Sequence, residues 1–266
     1  MQRFSRPDRY LARCGHLDAV VTDNRIPGAP PFMRGLRAVF VADTHVHGRT
    51  TQADLDAFMD RIAAIGAQLL LLGGDYSDTA EGCVRFFKSL GRLSFPLGCY
   101  GVLGNNDAEA WAGHAKGLRA VMAEGGCRLL VNQFCDIPYN GGVIRLGGAD
   151  EHRYGHPRGS ALGGGHNSSD CYRILLSHYP IMPERRPDLM LCGHTHGGQF
   201  NLFGLTPYTI GFERFKLNHR PTLAVSGLHD IDGMKLLVSK GVGASRLQIR
   251  VGVQPEIHRI TFDVVK

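Results

Sequence analysis

Seven side chains able to hold a metal ion occur in five short clusters. Asp43 and His45 form D-x-H, Asp75 follows two glycines, and Asn105 lies in Gly104-Asn105-Asn106-Asp107. His178 stands alone, and His194 with His196 forms G-H-x-H. Carboxylate, imidazole and amide together suit divalent manganese, iron or zinc, with positions left open for substrate. Taken singly, each is weak: a histidine near a strand end more often makes a structural hydrogen bond than a metal bond. What they share is context. Each cluster directly follows an apolar run, at residues 38–42, 69–72, 100–103, 174–177 and 189–192. Four or five apolar residues bounded by Gly or Asp read as a buried strand. In α/β sheets the ligand crevice lies at the carboxyl edge of the strands, so five strands would deliver these residues to one edge.

The segments between the early runs have helical spacing. Residues 53–65 place Leu55, Phe58, Met59, Ile62 and Ile65 on one face, and 84–93 and 111–122 repeat the pattern. The second half reads as strands at 142–147, 221–227, 233–238, 248–253 and 256–264, with little helix. Alternating strand and helix followed by strands with short turns predicts mixed sheets packed face to face, with helices on the outer faces. The expected organisation is a basic arm over 1–16 and a single catalytic domain over 17–266.

In this order the clusters resemble the blocks of the calcineurin-like metallophosphoesterases: D-x-H, G-D, G-N-H-D/E, H and G-H-x-H. The resemblance covers about residues 17–264. It implies the α/β four-layer sandwich of that family, two mixed β-sheets flanked by helices. Residues 175–180, 193–200 and 241–243 are similar to the bacterial phosphodiesterase branch that includes UDP-2,3-diacylglucosamine pyrophosphohydrolases. The implied ligands are Asp43, His45 and His196 for one metal, and Asn105, His178 and His194 for the other, with Asp75 bridging. Two cations about 3.5–4 Å apart lower the pKa of a shared water and neutralise phosphate oxygens during in-line attack. The implied activity is hydrolysis of phosphodiesters or pyrophosphates, of a phosphorylated small molecule or a lipid-linked substrate such as a UDP-sugar lipid. The cofactors would be two divalent ions, manganese foremost, with iron or zinc as alternatives. A nucleotide or cyclic-nucleotide phosphodiesterase is a rival reading, as is a non-catalytic scaffold of the same fold. Retention of all seven ligands argues against the scaffold.

One block departs from the family. The catalytic histidine of the third block is Asn106 here, followed by the acid that in the family holds that histidine, Asp107. An amide cannot donate a proton at useful pKa, though it can hydrogen-bond a phosphoryl oxygen. Other histidines are weaker candidates. His229, after Ser226-Gly227-Leu228, is the best for the substrate side; His47 is a second, and His114 reads as a solvated loop residue. Gly163-Gly164-Gly165, in a stretch with His152, His156 and His166, lacks the context of a phosphate-binding loop and reads as a flap.

Composition narrows the setting. A net charge of +6 fits an anionic partner, but no aromatic-basic surface motif points to nucleic acid. Seven scattered cysteines without C-x-x-C argue against a disulfide framework or a zinc knuckle. With no apolar window of spanning length and no signal-like N-terminus, the expected location is cytoplasmic. Arg3, Arg6, Arg9 and Arg13 recur at three- and four-residue spacing. The segment reads as a solvated arm; its alternative is a short helix, started at Pro7, touching the anionic inner face of a membrane.

Overall fold

The computed structural model describes residues 17–112, 115–163, 170–203, 205–208, 222–244 and 247–265, and the backbone of 11–13. Two six-stranded mixed sheets pack face to face. The first contains β2 (Val20–Ala29), β3 (Arg37–Val41), β4 (Leu69–Leu72), β5 (Cys99–Gly101), β6 (Cys127–Leu129) and β14 (Glu256–Val264), in the order β2-β14-β3-β4-β5-β6. The second contains β7 (Gln133–Tyr139), β8 (Gly142–Gly148), β9 (Cys171–Leu176), β10 (Leu189–Cys192), β11 (Gly227–Ile231) and β12 (Met234–Val238), in the order β11-β12-β10-β9-β8-β7. β3 to β6 run parallel, as do β8, β9, β10 and β12. A small antiparallel pair joins β1 (Leu11–Arg13) to β13 (Ile249–Val251).

The continuous apolar strands reflect burial on both faces. In β4, Leu69 and Leu71 enter the core between the sheets, where Phe40, Leu146, Ile174, Leu176 and Leu191 meet them. Leu70 and Leu72 face the other way and pack under the helices. Those helices are α1 (Gln52–Ala64), α2 (Ala80–Leu90), α3 (Asn105–Ala110) and α4 (Ala115–Glu124). A capping box starts α1, with Thr51 Oγ1 accepting from Asp54 N and the Asp54 carboxylate accepting from Thr51 N. The outer face of the second sheet carries Leu175, Met190, Leu236 and Val238 under a 3-10 turn at Gly159–Leu162. The fold is the expected pair of mixed sheets flanked by helices, with the described α-helices all on the side of the first.

Several boundaries differ from the pattern. The helix expected over 111–122 is α4 at Ala115–Glu124, the short α3 before it at Asn105–Ala110 was not expected, and α2 starts four residues early, where Thr79 caps it. The strand expected at 221–227 is β11 at Gly227–Ile231. Its place is set by the turn Asp232-Gly233, both at positive φ, which joins it to β12. β2 and β7 were not expected: each is largely exposed, so neither shows an apolar run. Residues 11–13 pair as a strand rather than a helix, while 1–10, 14–16, His114, Gly164, Gly165 and His166 lie outside the described residues. The six described cysteines are free, and among the described residues no helix is long and apolar enough to cross a membrane.

Candidate metal centre

The five clusters meet at the carboxyl edge of the sandwich, between the two sheets. Asp43 and His45 follow β3, Asp75 follows β4, Asn105 opens α3 after β5, His178 follows β9, and His194 and His196 follow β10. Five of these seven residues, Asp43, His45, Asp75, His194 and His196, hold positive φ values between 42° and 70°. Non-glycine residues rarely adopt that conformation, and such strain concentrates at functional sites. Backbone bonds hold the loops in it: Asp43 N donates to Gly74 O at 2.9 Å, and His45 N to Asp75 O at 3.1 Å.

The donor atoms converge. One oxygen or nitrogen from each of Asp43, His45 and His196 lies within 4.8 Å of the others, and the same holds for Asp43, Asp75 and His178. Asp75 Oδ2 is 3.6 Å from His45 Nε2 and 3.4 Å from His178 Nε2, so a single carboxylate oxygen faces both halves of the cluster. In the second half, His194 Nδ1 is 3.0 Å from Asn105 Oδ1 and 3.3 Å from His178 Nε2. The buried oxygens and imidazole nitrogens form a donor set suited to divalent cations.

Neighbours orient the imidazoles. His178 Nδ1 donates to Gly73 O at 2.8 Å, which turns Nε2 toward Asp75. His45 Nδ1 donates to Asp78 Oδ1 at 2.7 Å, which turns its Nε2 inward. His196 Nδ1 lies 3.0 Å from Arg250 Nη2; since a guanidinium only donates, this nitrogen is the acceptor. Arg250 is fully buried on β13 and also donates to the carbonyls of Lys240, Gly243 and His196. Tyr179 donates to Asn105 Oδ1 at 3.2 Å, and its ring lies 3.9 Å from that of His194.

The electrostatics follow from burial opposed by charge. Burial pushes the Asp43 carboxyl up to about 6. Burial would also raise Asp75, but His178, His45 and His194 outweigh it and hold Asp75 well below the usual carboxylate range. Burial disfavours protonation of His178, yet Asp75 and Asp43 lift it to about 10. The field that keeps a proton on His178 also favours a divalent cation beside Asp75. His194 and His196 are held well below the usual histidine range, first by burial and then by neighbouring cationic groups, so they are neutral, as ligation requires.

Asn106 points at the cluster. Its backbone N donates to Asp75 Oδ1 at 2.8 Å and its Nδ2 to Asp75 Oδ2 at 3.1 Å. Asp107 serves another purpose than holding residue 106. Its carboxylate accepts the backbone N–H groups of Asp75, Tyr76 and Gly104 at 2.7, 2.9 and 2.9 Å, so it is a positioning residue that clamps two site loops. His229 lies exposed on β11 with Nε2 2.8 Å from Ser226 O, and His47 Nδ1 accepts from Arg49 N. Neither is brought to the cluster by these contacts. His152 packs edge-on against Tyr179 and lines a cavity of about 390 Å³ with Arg158, Leu162, Leu175, Ser177 and Met190.

Asp78, Tyr179 and Arg250 are the contributors that motif reading passed over. Asp78 sits three residues past Asp75 and was visible in principle as a second carboxylate in the same loop. Arg250 had no local signal, because its partners are 7 to 54 residues away in sequence.

Residues 36–198, more than half of the chain, match the family model described as calcineurin-like phosphoesterase. The uncharacterized metallophosphoesterase YkoQ of Bacillus subtilis (strain 168) is 27% identical over 235 residues, which is 85% of this chain and 83% of that protein. Phosphodiesterase YaeI of Escherichia coli (strain K12) is 27% identical over 241 residues, 86% of this chain and 81% of its own. UDP-2,3-diacylglucosamine pyrophosphatase LpxG of Chlamydia muridarum (strain MoPn / Nigg) is 31% identical over 87 residues, 32% of this chain and 26% of that protein.

Proposed function

This chain belongs to the calcineurin-like phosphoesterase family, and we propose that within it the protein is a two-metal hydrolase of phosphodiester or pyrophosphate bonds. The observation that carries this reading is the placement of Asp75 Oδ2 between His45 Nε2 and His178 Nε2, which suits a carboxylate shared by two cations. Asp43, His45 and His196 would hold one ion; Asn105, His178 and His194 would hold the other. Bound there, two divalent cations supply charge to phosphoryl oxygens and lower the pKa of an attacking water. Manganese is the first choice, because mixed oxygen and imidazole donors do not select strongly for zinc.

The chain's own residues then set the substrate preference. Asn106 Nδ2, next to Asp75, is placed to hydrogen-bond a phosphoryl oxygen but carries no proton to give a leaving alkoxide. A phosphate leaving group, with a second pKa of about 6, departs as an anion unaided. Diphosphates and activated aryl diesters are therefore the favoured class. A UDP-sugar lipid is the specific member suggested by the likeness to LpxG. The test is a panel of a diester, a monoester and UDP-sugars with the purified protein and Mn²⁺. Hydrolysis of diester or diphosphate above monoester is expected, and metal-independent or absent hydrolysis of all three would overturn the reading.

A further inference from the structure

The turn after β8 packs against one half of the metal centre and presents an arginine there. Glu151 is buried, 1% exposed, and its carboxylate accepts from Arg153 N and Tyr154 N at 2.6 Å each. Asp150 ties the two ends of the same turn: its Oδ1 accepts from Glu151 N at 2.8 Å and its Oδ2 from His156 N at 2.9 Å. Asp107 uses its buried carboxylate in the same way on the loops of Asp75 and Gly104. A backbone held like this fixes where residue 153 starts from.

The residues on either side of Arg153 set the turn at the centre. His152 packs edge-on against Tyr179, whose hydroxyl bonds Asn105 and whose ring lies against His194. Tyr154 donates to Glu109 Oε2 at 3.4 Å, and Glu109 stands one turn beyond Asn105 on α3. The guanidinium carbon of Arg153 is 5.1 Å from the centre of the Tyr154 ring. Its charge reaches the cluster: after burial, and with His178 and His45, Arg153 is one of the groups that hold His194 low. The side chain is exposed, and among the described residues no carboxylate pairs with it. Asn106 instead reaches Asp75 and His45. Arg153 and Asn106 therefore stand toward different halves of the cluster.

We propose that Arg153 binds the departing phosphate of a diphosphate substrate, beside the His194 half of the centre. This rests on the hydrolytic reading above and names the group that the second phosphate meets. In that reaction water adds its oxygen to one phosphorus and the P–O bond to the bridging oxygen breaks. The bridging oxygen leaves with the electron pair on the second phosphate, and the proton of the water passes to solvent. The second phosphate gains negative charge in the transition state. A guanidinium next to it answers that charge with two parallel N–H donors and gives up no proton. With an amide at position 106, a fixed cation on the leaving group does what a proton donor would do for an alkoxide. The Glu151 clamp and the Tyr154 ring hold that cation ready before substrate arrives.

The experiment uses the full chain with Mn²⁺ and compares wild type, Arg153→Gln and Arg153→Lys on UDP-glucose and on bis(p-nitrophenyl) phosphate. Arg153→Gln lowers kcat/KM for UDP-glucose about 100-fold, the loss typical of removing one donor to developing charge. Its loss on the diester, which has no second phosphate, is below about tenfold. Arg153→Lys, which keeps the charge without the fork, falls between wild type and Arg153→Gln on UDP-glucose. A readout apart from turnover is the reaction of Arg153 with phenylglyoxal, followed by peptide mass spectrometry. UDP slows that modification in the wild type. Equal losses on the two substrates, an unchanged kcat/KM for UDP-glucose, or modification of Arg153 at the same rate with and without UDP would overturn the proposal. Protection by UDP in a protein that hydrolyses neither compound would uphold Arg153 as the phosphate site and count against the proposed reaction.

Discussion

At the scale of the residue, Asp75 and Asn106 carry the sharpest expectations. Asp75 is the carboxylate that faces both halves of the cluster. Asp75→Asn keeps the shape and one of the two hydrogen bonds that residue 106 donates, since an amide has a single acceptor oxygen, and it removes the charge that two cations would share. Activity should fall by two or more orders of magnitude, and metal content measured by elemental analysis should drop with it; undiminished metal in this variant would refute the shared role. Asn106 tests the proton supply. Asn106→His should raise turnover most for alkyl leaving groups and least for phosphate or nitrophenolate, since only the former need a proton. A wild type already insensitive to leaving-group pKa, and unchanged by the substitution, would mean that another group supplies the proton. At this scale the donors were legible in the sequence because each ends an apolar run. The task of Asp107 was not, because its three partners are backbone groups, and two of them belong to another loop.

The elements matter through how closely their ends approach. Gly104 precedes α3 and Asp75 follows β4, and the two loops touch. A Cβ on Gly104 would lie 2.0 Å from Asp75 Oδ1 and 2.4 Å from Asp75 N. The backbone of Gly104, at φ −95°, would accept alanine, so the obstacle is contact alone. Gly104→Ala should displace Asp75, weaken divalent-metal binding at least tenfold by calorimetry, and cost about 1–3 kcal/mol of stability through overpacking. Wild-type metal affinity in Gly104→Ala would show that the close approach is not needed. Strand and helix existence was legible wherever burial on both faces gave continuous apolar runs. It failed at β2 and β7, which are largely exposed and so carry mixed polar residues.

For the molecule as a whole, Glu256 ties distant parts together. On β14 it accepts from Thr22 Oγ1 of β2 at 3.1 Å, and from Lys240 N at 3.0 Å and Lys240 Nζ at 2.8 Å. Lys240 follows β12 of the other sheet, and His258 Nε2 faces the same carboxylate at 3.3 Å. Burial would raise Glu256, but His258 and Lys240 outweigh it and bring its pKa from 4.5 down to about 2. A carboxylate depressed on folding stabilises fully above its unfolded value, and that contribution is lost as pH falls from about 4.5 toward 2. It is worth about 3 kcal/mol at neutral pH. Glu256→Gln should therefore melt lower than wild type at pH 7, with a shallower fall in Tm from about pH 5 to pH 3. Parallel curves for the two proteins would remove Glu256 as the cause.

The sequence by itself determined the fold class and the identity of the metal-capable side chains. Both rest on local pattern: apolar runs of strand length, helical periodicity between them, and polar residues where each run stops. Tertiary structure alone decided which nitrogen of each imidazole faces inward, which carboxylate sits between two histidines, and how Arg250 reaches His196. It also decided that β1 and the backbone of Asn201 both bond to β13. These are relations between segments far apart in the chain. No residue type or spacing encodes them until the sheets pack and the loops at their carboxyl edge are pressed together.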